Sequence, residues 1–216
     1  MKKTFSFLLL VALLALSVPA FAGGNGSDYF IWIGLGPNYS FQPEINRAFV
    51  DNGIPRTIQY NPAVGGSVEV GFKFDLPNFG VRARCDFYSG TTNFTTTFTQ
   101  NQQLVVSPGS ANGYLLTGYA QVLGFIPVND VADCYLGVGV GGLQQSANVG
   151  ASTIGNFTVP GYDVVSTCAG LPVSLGGNYF FCDDLAVNVD LTYMISTDTA
   201  NIASYFTPLL GLKYTF

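Results

Sequence analysis

The sequence contains no histidine, and only 10% of its 216 residues are charged. Because imidazole is the usual proton shuttle and zinc ligand near neutral pH, its absence argues against most proton-relay and zinc chemistry. Eight basic residues stand against 13 acidic ones, and no basic patch is present to bind nucleic acid. Beyond the N-terminus no run of about 18 or more apolar residues occurs, which excludes a helical membrane protein.

The N-terminus has the features of an export signal. Lys2 and Lys3 form a basic start, an apolar stretch follows, and Ala20-Phe21-Ala22 supplies the small residues at which a signal peptidase cuts. The alternative is a membrane anchor, for which the apolar stretch is near the lower length limit. We predict a signal peptide over 1–22 and a mature domain over 23–216 with 6 basic and 13 acidic residues, a net charge of −7.

The remaining hydrophobicity is arranged with a period of two residues. In the clearest segment Val68, Val70 and Phe72 share one face, and Glu69 and Lys73 lie on the other. Such alternation over about ten residues is typical of a tilted strand that crosses a bilayer. The same pattern recurs in eight segments, at 29–36, 64–75, 81–88, 116–123, 136–141, 169–179, 185–196 and 210–216. It predicts an all-β fold, an eight-stranded antiparallel up-and-down transmembrane β-barrel.

The connections between these segments alternate between long and short. Long loops are predicted at about 42–62, 89–112 and 143–164, with a shorter one at 197–203, and tight turns near 76–80, 127–131 and 182–184. This asymmetry fits a barrel with brief periplasmic turns, long outer loops and both chain ends on the periplasmic side.

The cost of placing a charge in hydrocarbon predicts which face meets lipid. An unpaired charge costs about 2–4 kcal/mol at mid-depth in such barrels, whereas a lumen lets charges pair with one another. Seven charged residues are therefore predicted to point inward: Glu69, Lys73, Arg82, Arg84, Asp86, Asp190 and Lys213. Their mixed signs indicate an ion-pair plug, although the unread register leaves the individual pairs open. A wide aqueous pore is not expected in so small a barrel.

Three features carry a family resemblance. The predicted signal peptide, the strand Tyr135-Leu136-Gly137-Val138-Gly139-Val140-Gly141 and the ending Gly211-Leu212-Lys213-Tyr214-Thr215-Phe216 together resemble small bacterial outer-membrane β-barrel proteins of the OmpA-barrel, OmpX and opacity-protein type. The resemblance covers essentially all of the mature chain and implies a bacterial outer-membrane location, with outer-membrane lipid as a partner. It also implies that the barrel-assembly machinery recognises Leu210, Leu212, Tyr214 and Phe216. The alternative is that these four are ordinary lipid-facing residues.

Neither a cofactor nor a metal is predicted. The segment 137–142 formally matches a dinucleotide-binding glycine motif, but a polar stretch and not a helix follows it. Asp183 and Asp184 are adjacent carboxylates without other ligands nearby in sequence, which is typical of a solvated turn. An enzyme is not predicted either, because outer-membrane barrel hydrolases and acyltransferases resemble one another in using histidine with serine or aspartate, and this chain has no histidine.

Four cysteines pass through an oxidising compartment, and they allow three complete pairings. Cys134 begins the fifth predicted strand and Cys182 ends the sixth, so both lie near the periplasmic rim and form the candidate disulfide. Cys85 is expected to face lipid, and Cys168 lies higher on its strand. The alternative for that second pair is two free thiols packed as small hydrophobic groups.

The leading functional hypothesis is a structural or surface-interaction protein, adhesin- or antigen-like, that binds a host or cell-surface ligand through long extracellular loops. Polar and aromatic residues crowd these loops, namely Thr95, Thr96, Thr97, Phe98, Gln100, Gln102, Gln103, Asn156 and Tyr162. The loops would otherwise be a neutral coat above the membrane. A second hypothesis is a narrow porin-like channel, because Arg82 and Arg84 make the lumen polar. A third, a secreted lipocalin-like barrel, fits the pattern less well because its polar faces would lie outside.

Overall fold

The computed structural model describes residues 29–40, 46–51, 54–74, 78–100, 103–154, 157–159, 161–199, 202 and 204–216. The predicted signal peptide lies outside these ranges and stays a prediction. The described strands are β1 (Tyr29–Ser40), β2 (Asn46–Asp51), β3 (Ile54–Tyr60), β4 (Ala63–Phe74), β5 (Phe79–Gln100), β6 (Gln103–Asn129), β7 (Ala132–Val149), β8 (Ser152–Ile154), β9 (Phe157–Val159), β10 (Tyr162–Cys182), β11 (Leu185–Ser196) and β12 (Tyr205–Thr215). Within the described ranges, no helix is long and apolar enough to cross a membrane.

Eight of these strands close into one antiparallel barrel, which confirms the predicted fold. Each strand pairs with the next in the order β1, β4, β5, β6, β7, β10, β11 and β12, and β12 pairs with β1. The closing pair sets Leu35 opposite Leu212, both of which are exposed on the outer surface. Closure leaves no strand edge along the barrel wall, as a bilayer requires.

The barrel has two different rims. We call one the turn rim, because β6 and β7 are joined there by Asp130 and Val131, and β10 and β11 by Asp183 and Asp184. The end of β12 lies at the same rim. The connection from β4 to β5 also turns here, and Asn78 adopts a left-handed backbone conformation with φ of 62°, which asparagine tolerates better than most residues. The opposite end is called the loop rim.

Apolar residues cover the outside of the barrel wall. Along β7, Leu136, Val138 and Val140 are 57%, 61% and 65% exposed, whereas Tyr135, which immediately precedes them and points the other way, is fully buried. Aromatic pairs border this apolar surface at both ends. Near the turn rim lie Phe74 with Phe79, Tyr179 with Phe181 and Tyr214 with Phe216, and toward the loop rim lies Phe87 with Tyr114. Aromatic girdles of this kind mark the two membrane interfaces.

An arginine on the apolar outer surface of the barrel tests whether this surface faces lipid. Val138→Arg is expected to lower the free energy of unfolding by about 2–4 kcal/mol, because the guanidinium would lie in hydrocarbon near mid-depth. Urea titration of the barrel in lipid vesicles measures the change. The matched control is Thr91→Arg, at an exposed position beyond the aromatic girdle, and it should have little effect. Equal losses in the two variants would contradict the assigned lipid face.

Three predicted long loops are wrong, because most of the residues in 42–62, 89–112 and 143–164 form strands. β5 and β6 continue as one ladder from Ser89–Tyr114 to Gln100–Gln103, and β7 and β10 stay paired up to Val149–Tyr162. These stretches lack apolar alternation because buried positions beyond the apolar outer surface are polar or small, as Gln145, Ser146 and Ala147 of β7 show. Their threonine content nevertheless favours extended backbone.

The prolonged strands carry further strands beyond the loop rim. β2 and β3 form a hairpin, and β3 pairs with β5 from Arg56–Thr96 to Tyr60–Thr92. We call β2, β3, residues 89–100 of β5 and residues 103–113 of β6 the projecting sheet. β5 is 22 residues long and β6 is 27, about twice the 9–11 residues that a tilted strand needs to span a bilayer. The sheet therefore stands well clear of the barrel wall.

Candidate functional site

The centre of the lumen is occupied by Arg82. Its guanidinium donates to Glu69 at 3.1 Å, to Asp190 at 2.9 Å, to Gln121 at 2.5 Å and to the Ser174 hydroxyl at 3.0 Å. These partners come from β4, β11, β6 and β10, and Arg82 itself lies on β5. A further bond to the Tyr135 hydroxyl on β7, at 3.3 Å, means that this one side chain links six of the eight barrel strands across the interior. Arginine suits this position because its planar group offers five donors in a rigid fork.

Asp190 is the acceptor that most of these donors share. It accepts hydrogen bonds from Arg82 at 2.9 Å, Arg84 at 2.8 Å, the Tyr135 hydroxyl at 2.6 Å and the Thr192 hydroxyl at 2.6 Å. Its exposed fraction is 0%. A buried carboxylate is stable only when such partners replace its hydration.

The remaining charges complete a balanced set. Arg84 donates to Asp86 at 2.7 Å, and Lys213 lies 3.1 Å from Glu69. We call Glu69, Arg82, Arg84, Asp86, Asp190 and Lys213 the ion-pair network; each is at most 5% exposed. Three positive and three negative groups cancel, so the lumen carries no net charge at this level. Closer to the turn rim Lys73 pairs with Asp133 at 2.8 Å.

Strand register explains why these particular residues meet. β4 and β5 place Glu69 directly opposite Arg84 and Gly71 opposite Arg82, so the inward positions of β4 alternate between a long side chain and a glycine. Glycine on the neighbouring wall gives the network its space. A Cβ on Gly34 would lie 2.7 Å from Cγ of Glu69, and a Cβ on Gly176 would collide with the Tyr135 ring.

Apolar layers close the lumen on both sides of the network. Toward the loop rim lies a buried cluster that comprises Ala63, Tyr88, Leu115, Tyr119, Leu143, Met194, Ile202 and Tyr205. Toward the turn rim, Leu123, Phe125 and Tyr135 form a second cluster. Beyond it a cavity of about 430 Å³, lined in part by Lys73, Asp133, Phe180 and Cys182, occupies the turn-rim end of the lumen. The network and its flanking layers therefore separate this cavity from the loop rim.

The structure places the seven predicted inward charges on the lumen side and brings six of them together in the network, while Lys73 lies apart with Asp133. Six neutral residues and one further aspartate complete these contacts, and the sequence did not mark them as partners. They are Asn38, Gln121, Asp133, Tyr135, Ser174, Asn188 and Thr192. All occupy inward positions of their strands. Their inward position in the strand alternation could have been read from the sequence. It does not distinguish a residue that contacts the ion-pair network from any other inward residue.

The predicted Cys134–Cys182 disulfide is not formed, and the strand register explains why. Both thiols are free and exposed, and Cys134 is registered with Gly177 of β10. Cys182 lies five residues farther along that strand, roughly 15 Å away, whereas a disulfide needs Cα atoms within about 7 Å. The two cysteines lie on neighbouring strands at the same rim, but they are not opposite each other in the strand register. Cys85 has the outward parity of Phe87 yet is only 6% exposed.

The last strand presents its apolar side chains to the outer surface. Leu210, Leu212, Tyr214 and Phe216 are 58%, 50%, 47% and 63% exposed. Their recognition by the barrel-assembly machinery stays a prediction that depends on the family resemblance. The described residues contain no group of three or more histidine, cysteine, aspartate or glutamate side chains that could hold a metal ion.

Comparisons with known proteins agree with this architecture. Among solved structures, Ail of Yersinia pestis in complex with the heparin analogue sucrose octasulfate is 14% identical, with a TM-score of 0.54 over 88% of this chain and 99% of that chain. OprG of Pseudomonas aeruginosa is 15% identical, with a TM-score of 0.54 over 89% and 98%. Neisserial surface protein A is 12% identical, with a TM-score of 0.50 over 88% and 98%. At these identities the likeness shows the fold.

No curated protein matches the chain. The family model of the outer membrane protein beta-barrel domain matches residues 8–216, which is nearly the whole sequence. This match agrees with the closed barrel, its apolar outer wall and its paired lumen charges. The chain therefore belongs to the outer membrane protein beta-barrel domain family and is an integral protein of the bacterial outer membrane.

Proposed function

We propose that this protein is a closed barrel whose function is recognition at the cell surface, through the projecting sheet. In outer-membrane barrels the short turns face the periplasm and the long connections face outward, so the loop rim carries the sheet into the extracellular space. The closed lumen is the single observation that carries the proposal, because it leaves the sheet as the part of the molecule available for function. A rigid scaffold that presents extended segments is a common arrangement for binding.

The channel hypothesis finds less support in the same geometry. Arg82 and Arg84 do make the lumen polar, but their guanidinium groups are buried and paired with Asp190, Glu69 and Asp86. An ion would have to displace these pairs and then pass the apolar cluster around Met194. The proposal includes no catalytic step, since the chain has no histidine to serve as a base.

Charge restricts the kind of partner. Ail was solved with a heparin analogue, which is a polyanion. Here the basic residues outside the lumen and the predicted signal peptide are Arg47 and Arg56, whereas Asp51, Asp163 and Asp198 belong to the described loop-rim segments. A surface with more acidic than basic groups repels polyanions. We therefore propose a protein surface, and not a sulfated polysaccharide, as the partner of the projecting sheet.

Removal of the sheet tip tests the proposal. Deleting residues 92–108 removes the paired ends of β5 and β6, together with the β5 residues on which β3 pairs. The barrel wall is untouched, so the variant should insert normally and retain the heat-dependent gel mobility of a folded barrel. Attachment of bacteria that display the variant to protein-coated or cell surfaces should fall to the level of bacteria without the protein. Undiminished attachment would contradict the proposal.

A conductance measurement on the same purified proteins separates the two functional hypotheses. Both the full chain and the 92–108 deletion should be electrically silent in planar bilayers, because the ion-pair network lies in the barrel wall region that both retain. Steady single-channel currents from the full chain would favour the porin-like alternative instead.

A further inference from the structure

The projecting sheet has a strand with one unpaired edge. β2 pairs with β3 from Asn46–Gln59 to Asp51–Ile54, and in the part of the chain that the structure describes it has no partner on its other side. An edge strand of this kind presents a row of free backbone N–H and C=O groups, which is a template for pairing with another strand.

Hairpin geometry identifies the backbone groups on that free edge. Asp51 and Ile54 flank a two-residue connection, so they form a pair that exchanges both backbone hydrogen bonds. Hydrogen-bonded and non-hydrogen-bonded pairs alternate along an antiparallel ladder. Asp51, Phe49 and Arg47 therefore direct their N–H and C=O groups toward β3, and Val50 and Ala48 direct theirs to the free edge.

The other open edge of the projecting sheet is interrupted by a proline. Residues 103–111 of β6 pair with β5 alone among the described strands. The same alternation, counted from the flanking pair Gln100–Gln103, assigns the even-numbered residues of this segment to the free edge. Pro108 is one of them, and it has no N–H to donate. β2 contains no proline, so its edge offers the uninterrupted row of backbone groups for a partner strand.

From this edge, and resting on the proposed surface-recognition function, we infer that β2 pairs antiparallel with β2 of a second copy of this chain. One register satisfies both backbone and charge. It sets Ala48 opposite Val50 of the second copy, which joins the free groups in about four hydrogen bonds. The same register sets Phe49 opposite Phe49 and Arg47 opposite Asp51, so residues of opposite charge occupy facing register positions twice across the two-fold axis. Cross-strand pairs of these types stabilise a sheet.

Strand direction determines where the second copy lies. β3 is antiparallel to β5 and β2 is antiparallel to β3, so β2 runs away from the membrane, as β5 does. A strand antiparallel to β2 must then belong to a molecule that points the opposite way. The inferred pair therefore joins barrels in two facing membranes. β3 pairs with β5 residues 92–96, roughly 15–30 Å beyond Phe87 along the strand, which leaves the edge accessible to a facing cell.

One six-residue edge forms a weak contact, and many copies on two surfaces make it effective. Multivalent contact between surfaces can raise the apparent affinity by factors of about 10² to 10⁴ without new interactions. The expected consequence is that cells displaying the protein adhere to one another.

Charge reversal on the edge tests the inference in bacteria that display the full chain, with one strain labelled green and another red. Cells with the natural sequence should form mixed clusters. Arg47→Asp places two carboxylates opposite each other at both pairs, and Asp51→Arg places two guanidinium groups there. Each variant alone should cluster at least about tenfold less. Cells with Arg47→Asp mixed with cells with Asp51→Arg should cluster again, because the reversed charges are complementary at both pairs.

Two further variants serve as matched tests. Val50→Pro removes an N–H on the free edge that β3 does not use, so clustering should be lost while the barrel stays folded on gels. Asp163→Arg makes the same charge change as Asp51→Arg at an exposed position away from β2, and it should cluster normally. The inference is overturned if natural cells do not cluster, if Val50→Pro clusters normally, or if the mixture of charge variants fails to recover. Attachment to protein-coated surfaces that still depends on residues 92–108 would then leave the proposed function standing.

Discussion

Replacing Asp190 with alanine is expected to lower the free energy of unfolding by about 3–5 kcal/mol, the usual cost of removing one partner from a buried ion pair. The carboxylate accepts hydrogen bonds from Arg82, Arg84, Tyr135 and Thr192. Its removal leaves more buried positive than negative charge in the network and cuts the connection between β5 and β11. Urea titration in lipid vesicles, followed by the folded band on unheated gels, measures the loss.

Two companion variants make the Asp190 result specific. Asp190→Asn keeps the shape and some hydrogen bonds but removes the charge, so its loss should be large but smaller than that of alanine. Asp130→Ala removes a carboxylate that is exposed in a tight turn of the turn rim, and it should change stability little. If the Asp190 and Asp130 variants were equally stable, the ion-pair network would not hold the barrel together.

Gly139→Val is expected to have a comparably large effect, through space and not through charge. A Cβ at this inward position of β7 would run into the carbonyl oxygen of Ala120 and lie 2.7 Å from Cγ of Gln121. The backbone cannot move without breaking the ladder with β6, and Gln121 is held by Arg82. We expect a loss of about 3 kcal/mol or more, or failure to form the folded band.

Gly124→Val is the matched control for this prediction. Gly124 lies on the adjacent strand at an exposed, outward position, and a Cβ there would meet nothing within 4 Å. Valine favours strands more than glycine does, so this variant should be unchanged or more stable by up to about 1 kcal/mol. The two variants make the same substitution on paired strands, and equal behaviour would show that lumen crowding does not limit stability.

Particular segments show how far the sequence could predict the fold. In β4, Val68, Glu69 and Val70 alternate strictly, because one side of that strand meets lipid and the other a polar lumen. In residues 89–100 the alternation of apolar and polar residues disappears, although the chain remains a strand. Threonine and other polar residues fill much of that part of β5, and polar loops and extended ladders can share this composition, so the sequence could not separate the two.

In the candidate site too, the sequence predicts some features and only the fold decides the others. The inward direction of Arg82 and Asp190 follows from the cost of exposing charge to hydrocarbon, and that cost can be assessed for each strand separately. Their pairing depends on which strand stands opposite at which height. Cys134 and Cys182 illustrate the consequence, since correct placement at one rim still left them about five residues apart in register.

The sequence by itself determined the class of fold, the lipid-facing surface and the sign and direction of the lumen charges, because each strand's alternation reports locally on the two media that it separates. The tertiary structure alone decided the ion pairs, the closed lumen, the projecting sheet and the free edge of β2. Those features depend on register and on closure between strands that are distant in the chain, and a shift of two residues would preserve every local pattern while changing every partner.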